Sequence, residues 1–147
     1  MAIYRSIVED TAVSFELVPP TSEDICRRIQ SVLVRHEWLV AESENGLDGY
    51  AYASEYRPRE AYKYSTETTV YIAQDCRGQG LGRALYQSLI KSLASLGFRR
   101  AYAGIALPNE ASIALHRSLG FEHIGVFNEA GFKFDRWHDV SWWQRRV

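Results

Sequence analysis

The longest amphipathic pattern in the chain lies between residues 81 and 96. Apolar and small residues recur there at intervals of three and four, which places them on one face of a helix. That face consists of Leu81, Ala84, Leu85, Ser88, Leu89, Ser92, Leu93 and Leu96. Gly97 follows directly, and glycine suits the left-handed residue that ends a helix. We predict an amphipathic helix over this segment.

Three shorter segments also predict helices, at residues 3–9, 21–34 and 109–119. In the second of them, Ser22 can cap the first turn. Glu23 suits the same turn because the helix dipole favours negative charge there. We expect these helices to flank a sheet.

Segments rich in aromatic and β-branched residues predict strands. They cover residues 37–42, 49–56, 66–73, 99–106, 121–128 and 132–143. Asn45-Gly46 separates the first two and is a strong signal for a tight hairpin. Antiparallel strands, then strand–helix–strand–helix, then a closing hairpin predict an α/β sandwich. We expect one domain over residues 1–147, with a mixed, largely antiparallel central sheet flanked by helices.

Composition and charge narrow the class of protein. With 147 residues and 46% apolar content, the chain is long enough for one domain with a substantial core. Its 17 basic and 18 acidic residues nearly balance, so the chain lacks the excess of positive charge that is typical of nucleic-acid binding. No apolar run approaches the roughly 20 residues that span a bilayer. Cys26 and Cys76 lack metal-ligand spacing and cannot form a disulfide framework, and no secretory signal is evident. We expect a cytoplasmic protein without a metal ion.

The segment Arg77-Gly-Gln-Gly-Leu-Gly-Arg83 lies between a predicted strand and the long predicted helix. Glycines let the backbone approach an anion, and the first free N–H groups of the helix point at it with the helix dipole behind them. The segment lacks both the G-x-G-x-x-G pattern of dinucleotide folds and the Lys-Ser/Thr pair of P-loops. It predicts a cradle for a pyrophosphate, with a purely structural glycine turn as the alternative.

A polar stripe borders the apolar face of the helix predicted at 109–119. It consists of Asn109, Ser112 and His116, which share one side at about 100° per residue. Such a stripe suits the wall of a cleft. The alternative is a helix cap, a surface serine and a buried histidine whose hydrogen bonds are satisfied.

These motifs together resemble the GNAT (Gcn5-related) acetyltransferases. Arg77-x-x-Gly-x-Gly82 is similar to the acetyl-CoA loop of that family. Three further stretches narrow the resemblance to the phosphinothricin and methionine sulfoximine acetyltransferases, and it extends from about Ile3 to the end of the chain. Those stretches are Tyr62 to Ile72, Pro108 to Glu122 and Gly131 to Asp139.

The resemblance implies acetyl-CoA as co-substrate and assigns its contacts. The backbone groups of three strand residues are expected to hold the pantetheine arm: Tyr71, Ile72 and Ala73. The glycine loop is expected to bind the pyrophosphate through Arg77, Gly78, Gln79, Gly80, Leu81, Gly82 and Arg83. Asn109 and Ser112 are expected beside the cofactor.

The resemblance also implies how the reaction proceeds. Glu67 matches the general base of the family, and His116 stands where many members have a tyrosine that protonates the leaving sulfur. The acceptor pocket is expected to include Arg57, Arg59 and Tyr62. The expected activity is direct acetyl transfer, in a ternary complex, to the amine of a small amino-acid-like acceptor. The alternatives are transfer to a protein N-terminus or a polyamine, and a catalytically silent module that binds acetyl-CoA or dimerises.

The chain departs from the relatives at its start, where they have a strand and a longer first helix. We therefore expect a sheet without that first edge strand, so that residues 37–42 form an exposed edge. The aromatic residues near the end of the chain predict an interface. They are Phe132, Phe134, Trp137, Trp142 and Trp143. The relatives are homodimers, and we expect a homodimer that uses the carboxy-terminal strands.

Overall fold

The computed structural model describes residues 2–147, which form one mixed sheet with helices on both faces. The helices are α1 (Ala2–Asp10), α2 (Ser22–Leu33), α3 (Leu81–Ser95) and α4 (Glu110–Ser118). The strands are β1 (Trp38–Ser43), β2 (Gly46–Glu55), β3 (Ser65–Ile72), β4 (Arg100–Ala106), β5 (Glu122–Lys133) and β6 (Arg136–Arg146). The predicted fold class is confirmed.

The strand order is β1-β2-β3-β4-β6-β5, and the β3–β4 pair alone is parallel. That pair is short, since β3 and β4 are in register only from Ser65–Arg100 to Glu67–Tyr102. Beyond Glu67 the two strands separate. Among the described residues β1 pairs with β2 alone, which agrees with the predicted sheet edge at residues 37–42.

The two faces of the sheet are covered by different helices. α3 and α4 cover one face, and α3 buries five side chains there: Leu85, Tyr86, Leu89, Ile90 and Leu93. α1 and α2 lie on the other face, with Ile7 and Val8 buried and Tyr4 packed on Tyr71. Leu96, predicted on the buried face of α3, is 53% exposed, because the chain leaves the helix there through Gly97 at φ +85°.

Two local predictions are corrected by the structure. Thr21, not Ser22, caps α2: its hydroxyl accepts from the Asp24 N–H at 3.1 Å, and the Asp24 carboxylate accepts from the Thr21 N–H at 2.9 Å. The closing hairpin turns at Phe134-Asp135, where both residues have positive φ, rather than between residues 128 and 132. A two-residue turn of that kind matches the strand twist.

The region around Glu129 explains the misplaced turn. Its φ is +51°, and the register of β5 on β6 shifts between Phe127 and Gly131. A bulge therefore interrupts the alternation of side chains in the middle of a continuous strand. No helix within residues 2–147 is long and apolar enough to cross a bilayer.

Candidate active site

A cleft of about 680 Å³ opens where β3 and β4 separate. The side chain of Ile72 packs with the α3 side of the sheet, whereas Tyr71 packs on Tyr4 of α1. Both residues line the cleft, which therefore reaches both faces of the sheet through the gap between the strands.

The glycine loop forms one end of this cleft. Gly78 and Gly80 have φ of +74° and +82°, and Gly80 precedes the first residue of α3 with no side chain capping the helix. The first N–H groups of α3 therefore have no intrahelical partner and are free for an anion. Exposed Arg77 and Arg83 flank them. This arrangement suits a pyrophosphate.

Not every residue of the predicted loop faces the cleft. Gly82 does, and a Cβ added there would be in ordinary van der Waals contact, 3.5 Å from both Ile72 and Leu115. Gln79 instead donates through Nε2 to the Asp75 carbonyl at 3.1 Å and is not part of the cleft lining. Its role is to hold the loop.

The backbone groups of β3 that point into the cleft differ from those expected. The Ala73 N–H donates to the Asp48 carbonyl of the preceding hairpin at 2.8 Å. Because strand residues alternate in direction, Tyr71 also directs its main-chain groups at β2. Val70 and Ile72 therefore present theirs toward the cleft, where β4 is absent. Of the set expected from sequence, Tyr71, Ile72 and Ala73, only Ile72 directs its main chain to the cleft, as Val70 also does, and the Ile72 carbonyl accepts from Arg77 Nε at 3.3 Å.

Asn109 and Ser112 line the cleft opposite β3, at the start of α4. The Asn109 side-chain oxygen accepts from the Ser112 N–H at 3.1 Å, so Asn109 is the helix cap. Its amide NH₂ group has no role in the cap. Asn109 can therefore cap α4 with its oxygen and donate from its NH₂ group to a bound molecule.

Glu67 lies at the fork, as the last residue of β3 that is in register with β4. Its side chain is half-buried, and this burial raises the pKa of the carboxyl, while the nearby Arg57 guanidinium lowers it. Tyr102, its neighbour on β4, stacks on Tyr56 at 4.2 Å between ring centroids, and Arg57 lies over the Tyr56 ring at 5.1 Å. A half-buried carboxylate with a raised pKa suits a general base.

The predicted acceptor residues line a second cavity of about 420 Å³. Arg57, Arg59 and Tyr62 contribute to it, together with Ser54 and Ser65. Those two serines flank Glu67, one across from it on β2 and one two residues earlier on β3. The cavity therefore adjoins Glu67, although Glu67 does not line it.

His116 lies in the core rather than in the cleft wall. It is 4% exposed, and its Nδ1 lies 2.8 Å from the Ser112 carbonyl while its Nε2 lies 2.9 Å from the Tyr86 hydroxyl. Burial lowers its pKa. Both nitrogens are used inside the protein, so this geometry does not fit the expected proton donor to sulfur.

The structure adds cleft residues that the sequence did not indicate. Residues 11–13, which follow α1, form one wall, and Arg136 and His138 of β6 complete it. Cys76 and residues 106–108 also contribute. Pro108, Arg136 and His138 belong to stretches that carry the family resemblance, but no local signal placed any of these residues at the cleft, because they reach it only through the tertiary fold.

The carboxy-terminal hairpin fixes the wall formed by residues 11–13. The buried Lys133 ammonium donates to the Val8 carbonyl at 2.7 Å and to the Ser14 carbonyl at 2.8 Å. Phe15 lies so close to Gly131 that an added Cβ would be 2.3 Å from the ring. The loop after α1 is therefore anchored on both sides of the wall.

Comparisons with known proteins agree with this geometry. Residues 1–142 match the family model of the acetyltransferase (GNAT) domain. The chain is 43% identical over 149 residues to the L-methionine sulfoximine/L-methionine sulfone acetyltransferase of Pseudomonas aeruginosa, covering 98% of this chain and 85% of that protein.

Two solved structures are also similar. One is a phosphinothricin acetyltransferase of Sinorhizobium meliloti in complex with AcCoA, with TM-score 0.95, 38% identity and coverage of 99% of this chain and 80% of that one. The other is the ribosomal-protein-alanine N-acetyltransferase of Brucella melitensis, with TM-score 0.96, 37% identity and coverage of 99% and 91%.

The co-substrate of this family is acetyl-CoA, and the cleft and glycine loop suit it. Within residues 2–147 no group of three His, Cys, Asp or Glu side chains could hold a metal ion. The domain match covers nearly the whole chain, and the predicted family is confirmed. The chain belongs to the GNAT acetyltransferase family.

Proposed function

We propose that the protein transfers the acetyl group of acetyl-CoA to the amine of a small amino-acid-like acceptor. The observation that carries this proposal is the cleft between β3 and β4, which has the glycine loop at one end. Glu67 lies three residues before Val70 on β3, about 10 Å along the strand. In this arrangement the pyrophosphate binds at α3, the pantetheine arm follows Val70 and Ile72, and the thioester points toward the fork.

Glu67 is the proposed general base. An α-amine is protonated at neutral pH and must lose a proton before it can attack. The Glu67 carboxylate takes that proton, directly or through water. The amine nitrogen then bonds to the thioester carbon and the C–S bond breaks. The nitrogen gives up its second proton as the amide forms, and this proton passes to the leaving sulfur, directly or through water, so that CoA departs as the thiol.

Direct transfer is favoured over a covalent intermediate. Cys76 lines the cleft, but burial raises the pKa of its thiol, and a hydrogen bond with Asp48 adds to this effect. A thiol that stays protonated is a poor nucleophile. The proposed reaction therefore takes place in a ternary complex.

The acceptor is proposed to approach from the face that carries Arg57 and Glu67. Arg57 is close enough to influence the Glu67 carboxyl, so it can bind a carboxylate while Glu67 faces the amine. An α-amino acid carries both groups. Two similar proteins are named for methionine sulfoximine or sulfone and for phosphinothricin, which supports acceptors of this kind.

A peptide N-terminus is the second candidate acceptor. The Brucella melitensis structure, similar over nearly the whole chain, is named as a ribosomal-protein-alanine N-acetyltransferase. In addition, Arg59 and Tyr62 are exposed at the second cavity, and an open cavity can accept a longer chain.

Thiol release from acetyl-CoA, measured over a panel of acceptors, tests these proposals. The panel contains methionine sulfone, methionine sulfoximine, phosphinothricin, free amino acids, alanyl peptides and polyamines. The highest kcat/KM is expected with the amino-acid-like compounds. A preference for alanyl peptides would favour the second candidate. Acetyl-CoA binding without turnover of any acceptor would indicate a silent module.

We also propose a homodimer. Six apolar side chains of β5 and the following turn and strand are more than 40% exposed: Ile124, Val126, Phe127, Phe132, Phe134 and Trp137. β5 is also a sheet edge, so an unpaired backbone accompanies the apolar surface. Trp143, also expected at the interface, is instead buried in the core at 4% exposure.

Light scattering at micromolar concentration is expected to give the mass of a dimer. Phe132→Asp is expected to shift it to a monomer, whereas Val34→Asp, a change at an 85% exposed residue near α2, is expected to leave the dimer intact. A wild-type monomer with full activity would contradict the proposal. We further propose a cytoplasmic location, since both cysteines are free in the structure, as expected where thiols stay reduced.

A further inference from the structure

A buried chain of polar groups connects α4 to the fork between β3 and β4. Thr68, Tyr86 and His116 are 4%, 0% and 4% exposed. His116 Nε2 lies 2.9 Å from the Tyr86 hydroxyl, which lies 2.7 Å from the Thr68 hydroxyl. Thr68 lies 3.1 Å from the Tyr102 carbonyl. The polar groups thus form one continuous hydrogen-bond chain from helix to strand.

The strand end of this chain lies where the cleft begins. Glu67 and Tyr102 form the last registered pair of β3 and β4, and Thr68 is the next residue of β3. The Thr68 hydroxyl bonds to the Tyr102 carbonyl across the gap. This side-chain bond thus lies at the last paired position of the two strands, one residue from the proposed base.

The protons of the chain can be counted. There are four contacts, and both ends are carbonyl oxygens that only accept: Tyr102 at one end, and Ser112, 2.8 Å from His116 Nδ1, at the other. A neutral imidazole and two hydroxyls supply three protons. One of the four contacts is therefore without a proton while His116 is neutral, and an imidazolium supplies the fourth.

The geometry also fixes where the protons lie. In neutral His116 the proton is on Nδ1, because Nδ1 faces a carbonyl, so Tyr86 donates to Nε2. The Thr68 hydroxyl can then donate to Tyr86 or to Tyr102, but not to both. When His116 is protonated, Tyr86 donates to Thr68, and Thr68 is committed to the Tyr102 carbonyl.

We propose that Thr68, Tyr86 and His116 form a positioning relay that holds the fork between β3 and β4 and couples the protonation of His116 to the hydrogen bond that Thr68 makes there. The relay acts through the backbone next to Glu67, so its three members are positioning residues. The expected effect of the relay on kcat rests on the proposed acetyl transfer. The expected protonation of His116 rests on the hydrogen bonds alone.

The charged surroundings of the relay come from two strands. Burial has the largest effect on the pKa of Tyr86 and raises it, and the hydrogen bond with Thr68 lowers it. Of the charged groups, Glu67 of β3 raises this pKa and Arg145 of β6 lowers it. Tyr86 therefore keeps its proton throughout the range in which a histidine titrates. On the other side of His116 lie the Phe121 ring, at 5.0 Å, and the Ser112 hydroxyl, at 3.3 Å from Nδ1. Neither of these groups is charged.

The first arm of the test uses nitrogen-15 NMR of the histidine rings. At neutral pH, His116 is expected in the form protonated at Nδ1. Tyr86→Phe keeps the ring that packs on His116 and Phe121 but removes the oxygen that accepts from the imidazolium. The titration of His116 is therefore expected to move to lower pH in this variant. A proton on Nε2 at neutral pH, or an unchanged titration in Tyr86→Phe, would overturn the relay.

The second arm compares two buried threonines of β3. Thr66 is 0% exposed and donates to the Ser54 carbonyl at 2.7 Å, where β3 is still paired with β4. Thr68→Val is expected to lower kcat about tenfold or more, the cost of a small misplacement near the reacting atoms, with the acetyl-CoA Kd within about twofold. Thr66→Val is the matched control and is expected to keep its kcat, and Thr68→Ser is expected to restore most of the rate.

The second arm distinguishes failure of the positioning role from failure of the proposed acetyl transfer. Equal kcat in Thr68→Val and Thr66→Val would overturn the positioning role, and so would failure of Thr68→Ser to restore the rate. If the wild-type protein turns over no acceptor, the proposed acetyl transfer fails, and the NMR arm then supports or overturns the hydrogen-bond relay independently.

Discussion

Substitution of Gly131 in β5 tests how the cleft wall formed by residues 11–13 is held in place. An alanine at this position would place its Cβ at 2.3, 2.5 and 2.7 Å from three atoms of the Phe15 ring. Real Cβ atoms do not come so close to a neighbour, so the ring has to move. Its two chain neighbours are anchored: the Ser14 carbonyl accepts from Lys133, and the Glu16 carboxylate accepts from Tyr4 at 2.9 Å. The ring therefore has to give up its contact with Gly131 by rotating, or the backbone that carries it has to strain these anchors.

The expected cost follows from this constraint. Overpacking of a constrained side chain destabilises a protein by about 1–3 kcal/mol. For a chain of this size that corresponds to a fall in Tm of roughly 3–10 °C. Because the displaced loop carries residues 11–13 of the cleft wall, the affinity for acetyl-CoA is expected to fall as well.

The assay is urea unfolding of Gly131→Ala beside Gly125→Ala. Gly125 belongs to the same strand, and a Cβ added there meets nothing within 4 Å. The control is expected to stay within about 0.5 kcal/mol of the wild type, and the m-value of Gly131→Ala is expected to be unchanged. Equal stability of the two variants would refute the view that Phe15 is fixed against β5.

Two predictions concern the reaction. Glu67→Gln is expected to lower kcat by roughly 10²–10⁴ with acetyl-CoA affinity kept, and near-normal turnover would exclude Glu67 as the base. Burial raises the pKa of Glu67 above the ordinary 4.5, and the base acts in its unprotonated form. The kcat/KM of the wild type is therefore expected to fall as the pH decreases through this raised pKa. Glu67→Gln is expected to abolish this fall. Gly80→Val is expected to weaken acetyl-CoA binding about tenfold or more, measured by calorimetry, because a β-branched residue is strained at φ +82° and crowds the anion site.

Local sequence signals predicted the part of the site that is local in the chain. The strand at 66–73, the glycine loop and the helix that follows are consecutive, and each has a pattern of its own. Gly80 and Gly97 were placed correctly because a left-handed turn strongly favours glycine. The same local logic failed for the closing hairpin, since the bulge at Glu129 has the backbone of a turn without ending the strand.

Other features depend on contacts that the sequence pattern does not encode. Periodicity placed His116 on the border of the apolar face of α4, but it could not tell that Tyr86 and Phe121 enclose that border. The direction of the β3 main-chain groups depends on which residues pair with β2, and a shift by one residue would exchange Val70 for Tyr71. Arg136 lies in a stretch that carries the family resemblance, but no local signal indicates that this residue, near the end of the chain, reaches the cleft.

The contacts of Lys133 have a consequence for the order in which the protein matures. Its ammonium holds carbonyls that lie 119 and 125 residues earlier in the chain, so the wall formed by residues 11–13 cannot be complete until the last hairpin has been synthesised and docked. Acetyl-CoA contacting this wall would bind the finished fold and not a nascent chain. A cofactor concentration of 100 times its Kd would then add about 2.7 kcal/mol to the stability of the completed protein. The cellular supply of acetyl-CoA would in this way influence how long the folded molecule survives, as well as how fast it works.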